Sequence, residues 1–169
     1  MEATLDSPVT EQRPVEYAGF WLRFVAYILD AIILSIAYWI IISPLLGLFG
    51  LGTFNSFSSG TMTEEEMVGM ASIFSGSIIV IQLISLVLYW LYFALMESSS
   101  KQATIGKMAL GLVVTDMEGN RIGFGQATGR YFGKIISSLI LAIGYIMAGF
   151  TEKKQALHDM LAGTLVVKK

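Results

Sequence analysis

The sequence predicts an α-helical integral membrane protein: two transmembrane helices, a third hydrophobic segment that is broken or re-entrant, and a small cytoplasmic β element. Three observations lead there. Of 169 residues, 54% are hydrophobic and only 14% are charged, where soluble domains carry about 25%; the mean hydropathy is +0.67. Two long stretches hold almost no charge, and roughly 20 apolar residues span a bilayer's hydrocarbon core. A β-branched piece, Leu112 to Thr115, has a counterpart in Thr164 to Val167, so two short strands can pair on one side of the membrane.

Composition also excludes. There are no cysteines, so disulfides, thiolate metal sites and thiol catalysis are ruled out. A net charge of −2 gives no case for nucleic acid. Residues 1–16 carry two prolines and four acids without apolar periodicity, and are expected to form a disordered tail rather than a cleavable signal. The first hydrophobic segment is then an uncleaved anchor.

The first span is expected over about 20–43. Tyr17, Phe20 and Trp21 form an aromatic girdle at its mouth. Its end is placed at Ser43-Pro44, because a proline pushes the preceding residue away from helical geometry. Leu45 to Leu51 is apolar and Gly-rich, suited to dipping into the interface. Two charges lie within the span. Arg23 can snorkel to the headgroups. Asp30, seven residues on, is about 10 Å deeper and nearly on the same face, with Tyr27 between them on that stripe. A carboxylate there costs on the order of 3 kcal/mol, so it should face protein or water. Two roles stand open for it: a functional carboxylate, or a polar link between helices.

Residues 52–71 read as a polar loop containing Glu64, Glu65 and Glu66. The second span is expected over about 71–96, with Gln82 and Ser85 near its middle, an aromatic belt at Tyr89 to Phe93, and Glu97 closing it. After Leu112 to Asp116, EGN marks a turn and Arg121 to Phe124 could return as a short strand. Gln126 to Lys134 alternates basic and apolar residues, as in a helix lying at the interface. The third hydrophobic segment, about 132–150, is short and loosened by Gly144 and Gly149. All eleven Lys and Arg avoid the loop between the first two spans, which places that loop outside, and the amino terminus and the 98–134 connection in the cytoplasm of a multi-pass cell-membrane protein. Three full spans would put the basic tail outside, against that bias, so the third segment either crosses in violation of it or is re-entrant; its short length, its glycines and the pairing of the tail strand favour return.

Motifs for soluble chemistry are incomplete. Gly106-Lys107 is no phosphate loop: Lys101 stands where the first glycine belongs and Met108 where a hydroxyl should bind magnesium. Gly123 to Gly129 is one residue too long for a dinucleotide fingerprint. His158 is the only histidine, so no metal site is predicted. Beside Asp159 it can titrate or brace the turn into the last strand. No serine has an evident base and acid, so an enzyme is not expected.

The segments GFWLRFVAYILD, QATIGKMALGLVVTDMEGNRIGFGQATGRY and KKQALHDMLAGTLVV resemble the RDD family of small membrane proteins, across about Tyr17 to Lys168. The resemblance places the family's arginine on Arg23 and its first aspartate on Asp30. The second falls on Asp159, with Asp116 as the other candidate. It implies a suspected role in transport, with some members linked to sodium/proton exchange. The leading expectation is a transport or cation/proton exchange module, handling protons or monovalent cations through Asp30, without a cofactor. A chain this small would form a pathway between protomers, as a homo-oligomer in the bilayer. The alternative expectation is a non-transporting scaffold or assembly partner.

Overall fold

The computed structural model describes residues 15–60, 63–140 and 143–169. The expected tail falls mostly on 1–14, outside the described residues. Val15 and Glu16 are described, and Glu16 lies against the carboxyl-terminal strand, where its carbonyl accepts from Lys168 N at 2.9 Å.

Helix α1 runs Phe20–Ser58 and α2 runs Glu64–Ser98. Both are long and apolar enough to cross a membrane. The first helix does not stop at Pro44, and Leu45 to Leu51 continues it. Proline removes one hydrogen bond, to the carbonyl four residues back, and apolar helices tolerate that loss. The polar loop shrinks correspondingly. Thr63 accepts from Glu66 N while Glu66 accepts from Thr63 N, a capping box that makes the acidic triplet the first turn of α2. Carboxylates are favoured there by the helix dipole.

Beyond α2 come a short helix α3, Ile105–Ala109, and strand β1, Leu112–Asp116. Helix α4 spans Phe124–Leu139, α5 spans Ile143–Ile146 and continues as a 3-10 turn at Met147–Gly149, and α6 spans Leu157–Ala162 before strand β2, Thr164–Lys168. The two strands pair antiparallel, Val114 opposite Val166. Arg121 to Phe124 does not form a strand: one bridge joins Arg121 to Thr115, and Phe124 already starts α4. The third hydrophobic segment bends by 117° between α4 and the α5 turn. Since β2 is hydrogen-bonded to β1, the chain returns to the side it left.

Burial divides the molecule in two. The apolar core (Ala18, Ala26, Ala94, Leu112, Val114, Ile122, Ala127, Val166) draws on the entry to α1 and its first turns, the last turns of α2, both strands, the connection before α4, and α4 itself. Alanines at 26, 94 and 127 let the helices approach closely. This is the cap. The rest of α1 and α2 is almost wholly unburied by the chain. Among the described residues, α1 packs chiefly on α3 and the 3-10 turn, and α2 on α4. They leave the cap as two apolar arms.

Candidate functional site

The charged residues of the cap form one connected circuit through five helices. Arg23, on the first turn of α1, pairs with Asp159 of α6. Its Nε donates to Ala18 O at 2.8 Å and Nη2 to Lys154 O at 2.6 Å. Arg130 of α4 is the hub: Nε donates to Asp159 Oδ1 at 2.7 Å and Nη1 to Glu97 Oε2, on α2, at 2.9 Å. The fork geometry of a guanidinium allows one side chain to hold two carboxylates. Glu97 also takes Lys107 of α3 at 2.5 Å, and Lys134 lies 3.7 Å away over the Phe93 ring.

Asp30 closes the circuit. Its Oδ1 accepts from Gly106 N at 2.7 Å and Tyr92 Oη at 2.9 Å, and Oδ2 accepts from Thr104 Oγ1 at 2.5 Å. The Tyr92 hydroxyl in turn accepts from Ile105 N. Donors at the start of α3 that no intrahelical carbonyl can serve are thus satisfied by side chains from both spans. Contact is close enough that Gly106 is required: a Cβ there would sit 2.2 Å from Ala26 O.

The circuit runs α1–α6–α4–α2–α3–α1. Glu97, Arg130, Asp30 and Asp159 are at most 2% exposed, and among the described residues no buried side-chain polar atom lacks a partner. Breaking a buried pair strands a charge at a cost of about 3–5 kcal/mol, although forming one against an apolar alternative gains little. The circuit therefore fixes geometry more than it adds stability. Burial works to raise Asp159, but the Arg130 and Arg23 guanidiniums outweigh it and hold the carboxyl well below the ordinary range. Burial, opposed by Glu97 and reinforced by Arg130 and Lys134, pulls the Lys107 ammonium down to about 7.

The structure distributes the sequence candidates unevenly. Arg23 and Asp159 meet. Asp30 lies in the same circuit without touching Arg23, so the shared stripe with Tyr27 does not translate into contact: Tyr27 is 63% exposed. A stripe on one helix says which residues share a face, and the neighbouring elements decide which of them are covered. Asp116 is engaged in its own turn, accepting from Glu118 N and Asn120 N. Glu97, Arg130 and Lys107 were missed as site residues. A lone acid closing an apolar span, and Arg130 with Lys134 at helical spacing on α4, were the available signals.

His158 is buried, and burial, opposed by Asp159 and reinforced by Arg130, Lys134 and Arg23, brings it down to about 3. It is neutral at pH 7. Its Nδ1 lies 3.4 Å from Ser137 Oγ and its Nε2 3.5 Å from Asp159 Oδ1, a serine–histidine–aspartate contact that sequence spacing did not reveal. The serine is sealed: it is fully buried, donates to Gly133 O, and packs so tightly that a Cβ on Gly144 would lie 2.7 Å from its Oγ. A substrate carbonyl has no room there. Among the described residues no three metal-ligating side chains converge.

No solved structure matches the chain. Two proteins of Bacillus subtilis (strain 168) are similar to it over most of their length. The uncharacterized protein YxaI is 41% identical over 152 residues, covering 90% of this chain and 97% of its own. The uncharacterized membrane protein YteJ is 31% identical over 163 residues, covering 89% and 80%. The model of the RDD family matches residues 17–163, which include Arg23, Asp30 and Asp159. With two apolar spans and a charge circuit built on those residues, the chain is a membrane protein that belongs to the RDD family.

Proposed function

We propose that the chain is a non-transporting assembly module of the cell membrane, in which a cytoplasmic cap sets the positions of two lipid-embedded arms. The closed charge circuit carries this reading. Every charge in it is engaged by a fixed partner on another element, which suits a joint better than an exchanging site. The cytoplasmic placement rests on the distribution of Lys and Arg, all of which lie outside the short turn between the arms. On this reading the chain is not an enzyme.

A second reading, cation/proton exchange, is favoured by Lys107. Burial, reinforced by Arg130 and Lys134, pulls its ammonium below the ordinary lysine range, which makes a proton easier to release there, next to Glu97 and one residue from the Asp30 contact. One experiment separates the two. Wild type and Asp30→Asn are reconstituted in proteoliposomes with a pH dye and imposed sodium, potassium or lithium gradients, after both pass size-exclusion in detergent. The assembly reading expects background traces from both proteins and a lower unfolding temperature for Asp30→Asn. Cation-dependent proton movement in wild type, lost in a folded Asp30→Asn, would refute it in favour of exchange.

A further inference from the structure

Between Val68 and Leu88 the polar side chains of α2 are Ser72, Ser75, Ser77, Gln82 and Ser85. The four serines each return a hydrogen bond to a carbonyl of their own helix. Gln82 does not. It is exposed, and among the described residues it has no hydrogen-bond partner.

Its depth makes this costly. Gln82 is seven residues from Tyr89, about 10 Å along the axis from the aromatic belt, too far for a glutamine side chain to reach water. An amide has donors and acceptors on the same group, and hydrocarbon offers neither. The missing partner must therefore both donate and accept at this depth.

From this we infer that α2 is a self-association face, on which Gln82 pairs with Gln82 of a second copy across a two-fold axis normal to the membrane. Copies of one chain insert with one topology, so such an axis brings identical residues together at identical depth. Two glutamine amides are self-complementary: each donates to the other's carbonyl. Ile78 and Leu86, one turn either side on the same face and both exposed, flank the pair with apolar contact. A single polar residue in such a seam fixes register and partner number. The inference rests on the assembly reading and narrows it to one partner, a second copy of this chain.

The absence of native cysteines makes the test direct. Single-cysteine variants on the Gln82 face (Ile78→Cys, Leu86→Cys) and on the opposite face (Val80→Cys, Ile84→Cys) are oxidised in native membranes. Disulfide-linked product of twice the 18.5 kDa chain mass is expected for the first pair only. Adding Gln82→Leu, which suits lipid and spares the cap, should cut its yield on the order of fivefold, as befits a lost interhelical hydrogen-bonded pair. Equal linkage from both faces, or unchanged yield with Gln82→Leu, overturns the inference. Linkage to a protein of another mass also overturns it while leaving the assembly reading standing. No linkage from any position overturns both.

Discussion

Gly106→Ala tests the joint between α3 and α1 with the smallest possible change. The added Cβ would lie 2.2 Å from Ala26 O and 2.9 Å from Asp30 Cγ. Ordinary carbon–oxygen contact is about 3.4 Å, and the closest atom is backbone, so no rotamer change relieves it. Helix α3 must retreat by about 1 Å, which takes the 2.7 Å bond from Gly106 N to Asp30 past hydrogen-bonding range. The Thr104 hydroxyl moves with it. Each donor taken from a buried acceptor costs about 1–3 kcal/mol, and two are lost here. Alanine returns up to about 1 kcal/mol of helix propensity. The net expectation is a loss of about 1–5 kcal/mol. Gly129→Ala is the control: it sits in α4 with nothing within 4 Å of the new Cβ, and should be neutral or gain up to about 1 kcal/mol. Both variants are measured by thermal unfolding in detergent, with amide hydrogen exchange over 104–109. If Gly106→Ala matches Gly129→Ala in stability, and exchange in α3 is unchanged, the close approach and the Asp30 cap are wrong.

Two further outcomes follow from the circuit. Arg130→Lys keeps the charge but cannot hold Glu97 and Asp159 together, so it should cost about 3 kcal/mol or more, read as a fall in unfolding temperature. His158 has a folded pKa of about 3 and an ordinary unfolded value near 6.5, so the unfolded chain binds the extra proton between those values and stability falls as pH drops through that window. From pH 7.5 to 5 the loss should be about 2 kcal/mol, and His158→Gln should flatten that part of the profile.

The sequence by itself determined the membrane class, the two spans and the pairing of the two short strands. These follow from local quantities: hydropathy over a window and β-branched runs. Even local rules compete. Pro44 suggested a stop that α1 passes through: the proline takes one hydrogen bond out of the ladder and the helix continues on either side of it to Ser58. The capping box at Thr63 and Glu66 lies in a polar, acidic stretch that reads as loop until the helix it starts is seen. Only the tertiary structure decided which charges meet. Arg23 and Asp159 are 136 residues apart, and nothing in their spacing distinguishes Asp159 from Asp116. Their meeting depends on α6 docking beside α4, and Asp30 finds its donors on α3 and α2 rather than on its own stripe. Glu97 and Arg130 became central for the same reason. A buried charge must be matched by whatever the fold brings within hydrogen-bonding distance, and that match is a property of packing between distant elements.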